Sequence, residues 1–319
     1  MNARHAKLVL LLVALGSYSG GQVSPTAGDQ GRESYRIAVD VDLVVLHATV
    51  RDREGHIVSD LREQDLEVYE NGVKQSLRLF QYEDTPVTVG LVVDHSGSMR
   101  PKLSHVVAAA RQFAHSSNPE DQLFVVNFNE TVSLGLRDGL TFTHSGAELE
   151  GAISKAPAEG MTALYDAIVK AMQQLQAGSR AKKVLLVISD GGDNASKHDL
   201  AQILQLAKQS SAIIYTIGVF DEEDPDRNPG VLRRLAHETG GEAYFPAQLN
   251  EVVAVCETIA HDIRNQYTLG YFSSNVTPKG VYRRIRGVAR SDRGKLVVRT
   301  RPGYFAGGKS LPGKDRGAP

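Results

Sequence analysis

A single cysteine in 319 residues, Cys256, leaves no partner for an intrachain disulfide. It falls at helical spacing with Val252, Val253, Ile259, Ala260 and Ile263, and reads as a small core residue. Excess charge is missing too: 36 basic side chains face 37 acidic ones, with a formal net charge of -1 and a pI near 6.8. That balance excludes a whole-chain attraction to nucleic acid or anionic lipid. No His or Cys spacing fits zinc, and there is no Gly-Lys-Ser/Thr phosphate loop. The Gly-x-Ser-x-Gly of a nucleophile elbow is absent, because the chain around Ser96 reads Asp94-His95-Ser96-Gly97-Ser98. A phosphoryl-transfer site with Asp94 as nucleophile would want a second carboxylate two residues later, where Ser96 stands. What remains is 41% hydrophobic content, enough for a proper core, on a length that allows about two domains.

Long apolar runs are scarce as well. Leu8 to Leu15 is too short to span a membrane. Arg4 and Lys7 precede it and Gly16, Ser17, Ser19, Gly20 and Gly21 follow, the layout of a secretory signal over residues 1–21. The expectation is export to the periplasm or beyond, with no integral span once the signal is removed. No cysteine near the cleavage region offers a lipid anchor. Residues 22–34 read as a linker.

Residues 35–84 read as an N-terminal β segment. Ile37, Val39, Val41 and Leu43 alternate, then Val44, Leu46, Ala48 and Val50 continue on the other parity, which implies a bulge or a change of buried face. Asn71-Gly72 between Leu66/Val68 and Leu77/Leu79 signals a hairpin. Three further strands, Tyr267 to Phe272, Val281 to Val288 and Leu296 to Thr300, form a C-terminal β segment over residues 267–306, and residues 307–319 read as a disordered tail. From Arg32 to Asp84 seven basic residues face twelve acidic ones, whereas from Tyr267 onward twelve basic residues face two acidic. Opposite charge on the two flanks predicts that they pair in one β-sandwich. Arg283, Arg284, Arg286 and Arg290 then belong to a solvated or acid-paired strand face. Few aromatics interleave with them, as a nucleic-acid surface would require.

Between the flanks, residues 85–266 alternate strand and helix. Strands are expected at Val87 to Val93, Leu123 to Phe128, Val184 to Ile188 and Ala212 to Val219, with an antiparallel edge near Thr131 to Leu136 and a short strand at Glu242 to Phe245. Helices follow Met99 and Thr162 and cover Ser196 to Gln209, Pro229 to Glu238 and Glu251 to Asn265. Thr141 to Glu150 reads as a surface loop. The pattern is that of an α/β fold with a doubly wound, mainly parallel, Rossmann-like sheet.

The apolar strand Val87 to Val93 ends abruptly in Asp94, Ser96 and Ser98, and the strand Val184 to Ile188 ends in Asp190. Thr162 stands in a Gly160-Met161-Thr162 turn before a helix. The carboxyl edge of an open α/β sheet is where ligands bind, so oxygen-bearing side chains gathered there are aimed at something small and positive. Taken singly, each is as well read as a helix cap or a turn former. Together, Asp94-x-Ser96-x-Ser98, Thr162 in GMTALYDAI and Asp190 in ISDGGDN resemble the metal-ion-dependent adhesion site of von Willebrand factor type A (VWA) domains, found also in integrin inserted domains. The flanking EVYENGVKQ and YTLGYF resemble, more loosely, exported bacterial proteins related to that family.

The resemblance implies that the hydroxyls of Ser96 and Ser98 bind Mg²⁺ or Mn²⁺ directly and that Thr162 does so directly or through water. Asp94 and Asp190 would act mainly through waters and by orienting the hydroxyls. Neutral ligands leave the ion short of negative charge, which favours an Asp or Glu supplied by a protein partner. The expected function is therefore binding of such a partner and not catalysis. The alternatives are a metal-dependent hydrolase or phosphatase on a similar scaffold, and a structural scaffold. Asp193 and Asn194 are expected to support the loop around Asp190. Asp166 reads either as a support for the site or as a solvated helix residue, and His95 as a variable position whose backbone matters more than its ring. The acidic run Asp221 to Asp226 lacks Ca²⁺-loop spacing and reads as a solvated rim.

Overall fold

A computed structural model describes residues 43–220, 227–275, 280–291 and 294–307. The expected signal and linker, residues 35–42, the acidic run 221–226 and the tail beyond Gly307 lie outside the described residues. The first strands are β1 (Leu43–Arg51), β2 (Leu66–Glu70), β3 (Val73–Gln75) and β4 (Leu77–Tyr82). Next come β5 (Val87–Asp94), α1 (Leu103–Ser116), β6 (Gln122–Phe128), β7 (Val132–Leu134), α2 (Gly146–Ser154), α3 (Leu164–Leu175) and β8 (Lys182–Ser189). α4 (Leu200–Gln209), β9 (Ile213–Gly218), α5 (Pro229–Thr239), β10 (Ala243–Tyr244) and α6 (Glu251–Arg264) complete the alternation. The chain then adds β11 (Tyr267–Phe272), β12 (Tyr282–Ala289), β13 (Val297–Arg299) and β14 (Gly303–Phe305).

Every residue of β5 is buried, as its unbroken apolar run requires of a strand covered on both faces. The central sheet has the order β10-β9-β8-β5-β6-β7, parallel throughout except for the β7 edge. Val89, Leu91 and Val93 pack on one face with Val106 and Phe113 of α1, Leu149 of α2 and Ile259 of α6. Val92 and its neighbours Leu185 and Val187 pack on the other with Ile168 of α3, Ile203 of α4 and Leu235 of α5. Gly90 faces that second side, where a Cβ would stand 2.4 Å from Cζ of Phe124, so glycine lets the aromatic ring lie against the strand. This is the expected doubly wound sheet. Its order reverses at β5, since β6 lies on one side and β8 on the other, and the carboxyl ends of β5 and β8 therefore flank a switch-point crevice.

The expected surface loop Thr141 to Glu150 instead runs into α2. Ser145 caps this helix by accepting from the Glu148 amide, and Leu149, Ala152 and Ile153 recur at helical spacing on its buried face. The helix expected from Ser196 starts later, at Leu200, because Asp199 and Gln202 exchange capping bonds there.

The flanking segments pair with each other, in two four-stranded sheets ordered β13-β1-β11-β4 and β14-β12-β2-β3. Both sheets mix strands from the two ends of the chain, and one core, with Leu46, Val50, Val68, Tyr267, Leu269 and Ile285, fills the space between them. The opposite charges meet across β12 and β2, where Arg283 pairs with Glu70 at 3.3 Å and Arg290 with Glu67 at 3.2 Å. Arg286 lies over the Tyr69 ring. In β1 the buried apolar set is Leu46, Ala48 and Val50, with Thr49 buried beside them, while Leu43 and Val45 are exposed, and its register with β11 is unbroken from Leu43 to Ala48. The first half of the expected change of parity lies outside the described residues, and an irregularity occurs between β11 and β4, at Gly270/Tyr271. The short strand β14 was not expected from the sequence, since three residues carry too little alternation to register.

Where the sandwich meets the central sheet, Asp262 in the last turn of α6 is fully buried. It accepts from Arg51 at 3.1 Å, from Thr49 at 3.4 Å, and from the Tyr215 hydroxyl and the Arg299 guanidinium. Burial alone would raise its carboxyl, but Arg299, Tyr215 and Arg51 reverse this and hold it below the usual carboxylate range. Lys182, at the amino end of β8, donates to the Ile263 carbonyl, so this seam lies at the edge of the sheet opposite the carboxyl ends of the strands.

Candidate metal centre

Asp94 is the last residue of β5, and both of its carboxylate oxygens are used. Oδ1 accepts from the Ser96 amide at 2.8 Å and Oδ2 from the Ser189 hydroxyl at 2.6 Å. Ser189 ends β8, the neighbouring strand, so one carboxylate ties the two strand ends across the crevice. A short 3-10 turn over Gly97–Met99 brings Ser98 back beside Ser96, with their Oγ atoms 3.1 Å apart. Ser98 Oγ then donates to Asp190 Oδ2 at 2.6 Å, and the other Asp190 oxygen accepts from the Gly192 amide at 3.0 Å. Asp94, Ser96 and Asp190 are buried and Ser98 is half-buried. The Asp94 carboxyl is pushed up to about 6, by burial first and then by the charge of Asp190. Two carboxylates and two hydroxyls thus share one buried crevice, an electrostatic arrangement that a bound cation would relieve.

The Thr162 turn is fastened to the loop after β8. The Thr162 amide donates to Asn194 Oδ1 at 2.8 Å, and the Thr162 carbonyl accepts from the Asn194 and Ala195 amides. Asp193 accepts from the Ser196 hydroxyl at 2.6 Å and from the Tyr165 amide at 3.2 Å. Asp193 and Asn194 therefore do support this loop, by fastening it to the Thr162 turn. Asn194→Ala should leave the Thr162 amide without its acceptor and cost about 1–3 kcal/mol, the usual effect of orphaning a buried donor, to be read from urea denaturation. On the other side of the turn, Glu130 Oε2 accepts from the Met161 amide and fills the space a Cβ on Gly160 would need.

The other sequence readings divide. Asp166 accepts from the Lys197 and His198 amides and from the His198 ring, so it staples the α4 approach. At His95, where the backbone is expected to matter more than the ring, the ring has a fixed place as well. It is buried and its Nε2 donates to Asn127 Oδ1 at 3.0 Å, the orientation fixed because Asn127 Nδ2 donates to the Ala152 carbonyl. Burial lowers the His95 pKa. The ring is thus committed to β6 and turned to neither serine. Sequence reasoning missed Ser189, whose position before Asp190 at a strand end was the available signal. Among the described residues no cluster of three or more His, Cys, Asp or Glu side chains forms a metal site.

Residues 88–257, more than half of the chain, match the family model of the von Willebrand factor type A domain. The chain belongs to that family. The chain is 24% identical over 159 residues to the uncharacterized protein sll0103 of Synechocystis sp., an alignment taking in 49% of this chain and 36% of that protein. The chain therefore spans about a third of the curated relative it matches. Among solved structures, a von Willebrand factor type A protein from Catenulispora acidiphila is 14% identical with a TM-score of 0.50, covering 76% of this chain and 74% of its own. That likeness shows the shared fold. Proximal thread matrix protein 1 from the mussel byssus, described with a zinc-occupied MIDAS motif, is 16% identical with a TM-score of 0.48, covering 62% of this chain and 50% of its own.

Proposed function

We propose that this VWA domain holds a divalent cation, Mg²⁺ or Mn²⁺, and through it captures a protein partner that presents an Asp or Glu side chain. The supporting observation is the spacing of oxygens at the ends of β5 and β8. Ser96 Oγ, Ser98 Oγ and Asp190 Oδ2 follow one another at 3.1 and 2.6 Å. Neighbouring ligands of an octahedral Mg²⁺ at its usual bond lengths stand about 3 Å apart, so the two serine hydroxyls are spaced to share a small hard cation while Asp190 holds Ser98 in place. Ser96 and Ser98 would hold the ion, with Thr162 beside them, while Asp94 and Asp190 orient the hydroxyls and balance charge. The ion supplies a Lewis-acidic position that hydroxyl ligands leave under-neutralised, and a carboxylate from a partner completes it.

A binding role has more support than hydrolysis, since the ring of His95 faces Asn127 and Ser98 donates to a carboxylate already bonded to a backbone amide. Export is supported by the signal layout of residues 1–21. No described helix is long and apolar enough to cross a membrane.

Isothermal titration of Mg²⁺ and Mn²⁺ into the purified protein, beside the double variant Asp94→Ala, Ser96→Ala of confirmed fold, tests the reading. Saturable binding that the variant loses is expected, followed by chelator-sensitive capture of acidic protein ligands. Equal binding by both proteins, or none by either with added carboxylate present, would leave a scaffold in its place.

A further inference from the structure

Lys102 is a charged side chain outside the proposed donor set. It follows Ser98 by four residues and stands immediately before α1. Only 1% of it is exposed, which places it among the largest fully buried side chains of the protein. Among its partners is the Val219 carbonyl, just past the end of β9, which accepts from Nζ at 3.2 Å across 117 residues of sequence. An ammonium withdrawn from water is costly unless its hydrogen bonds are supplied. An apolar side chain would fill the same space without that cost, so packing alone does not account for lysine here.

The bonds on either side of Lys102 lead back to the crevice. Towards the serines, the Lys102 amide donates to the Met99 carbonyl at 2.9 Å, and the Met99 amide donates to the Ser96 carbonyl at 3.0 Å. Beyond Val219, the Val219 amide donates to the Ser189 carbonyl at 3.1 Å, and the Ser189 hydroxyl donates to Asp94 Oδ2 at 2.6 Å. Asp94 Oδ1 closes the circuit by accepting from the Ser96 amide at 2.8 Å. A ring of hydrogen bonds therefore runs from Ser96 through Met99, Lys102, Val219, Ser189 and Asp94 back to Ser96. Lys102 is the one long side chain in it, and it spans the gap between the turn that carries the serines and the end of β9.

We infer that Lys102 is a positioning residue for the cation site: its ammonium fastens the Ser96–Met99 turn to the end of β9 and so fixes the serine hydroxyls relative to Asp190. The inference rests on the proposed reading of the crevice as a cation site. Its consequence concerns selectivity. Mg²⁺ demands near-ideal octahedral geometry, whereas Ca²⁺ accepts longer and irregular coordination. Loosening the turn should therefore penalise the smaller ion more.

The test compares Lys102→Met, which keeps the apolar stem, with Lys102→Arg, which keeps N–H donors for the Val219 carbonyl. Mg²⁺ and Ca²⁺ are titrated into the full chain, with circular dichroism confirming the fold. Lys102→Met is expected to weaken Mg²⁺ binding by about 10-fold or more, the usual effect of removing a group that orients metal ligands. Ca²⁺ binding should change by less than about threefold, because its coordination tolerates displaced oxygens. Lys102→Arg should restore part of the Mg²⁺ affinity. Unchanged Mg²⁺ affinity in Lys102→Met, or equal losses for both ions, would overturn the inference while leaving the cation site intact. Failure of the unaltered protein to bind either ion would instead overturn the site and the inference with it. A Lys102→Met protein that does not fold is replaced by a measurement on the unaltered chain. On Mg²⁺ saturation the ¹⁵N resonances of the Lys102 ammonium and the Val219 amide should shift with the same midpoint as those of Ser96 and Ser98. Resonances of Lys102 and Val219 that stay fixed would overturn it.

Discussion

Asp262→Ala should lower stability by about 3–5 kcal/mol, the cost of breaking a buried ion pair from one side. The carboxylate it removes is fully buried and is shared by Arg51, Arg299, Tyr215 and Thr49. Without it, two guanidinium groups at the seam lose their shared counter-charge, and Glu242, 3.6 Å from both, is too exposed to replace it. Urea denaturation at pH 7 provides the measurement, and a loss under 1 kcal/mol would show that the seam contributes little. Asp262→Asn, which keeps the shape and drops the charge, should lose less. The sign of its pH dependence follows from the carboxyl being held low in the folded protein. The charge contributes fully above the unfolded carboxylate range, near pH 4, and its contribution is lost as pH falls through the lower folded value. The gap between Asp262 and Asp262→Asn proteins should thus be widest at neutral pH and shrink in acid.

Asp94→Asn should separate cation binding from folding. An Asn at this position keeps an acceptor for the Ser96 amide and turns its own N–H groups to Ser189 Oγ, which already accepts from the Gly191 amide. The metal-free fold loses one of two buried carboxylates and should be as stable as the original protein or more so. Cation affinity should fall by about 100-fold, the upper range for losing a group that orients metal ligands. Thermal melts in chelator and in excess Mg²⁺ read both effects at once. The original protein should gain about 2.7 kcal/mol at a hundredfold excess over Kd, by ligand linkage, and the variant almost none. A Mg²⁺-dependent rise of the same size in both would remove Asp94 from the site.

The parts of this protein that were legible in the sequence are those in which many residues repeat one signal. The eight buried residues of β5 form such a run, and the polar residues that end it stand at fixed spacing. The acidic and basic flanks foretold their own pairing, since Glu70 meets Arg283 and Glu67 meets Arg290. What stayed hidden rests on single side chains whose surroundings only the fold supplies. Asp262 occupies a helix whose charged residues are otherwise consistent with a solvated face, and Lys102 looks like an ordinary basic residue at a helix start. The place of the His95 ring was hidden for the same reason: whether a ring between Asp94 and Ser96 points to water or to Asn127 depends on a strand 32 residues away. Helix α2 had a cap and three buried residues to announce it, too few to stand out from a loop.

The way the sandwich is laced carries a consequence for the order in which the molecule is assembled. β1 hydrogen-bonds to β11 and β13, and Thr49 receives its bond from Arg299, 250 residues further on. The first strand therefore finds its pairing partners only beyond the whole VWA domain in sequence. Contacts of such long range form slowly. Closure of the sandwich is thus expected to follow the more local pairing of the central sheet, and the burial of Asp262 between Arg51 and Arg299 would report it.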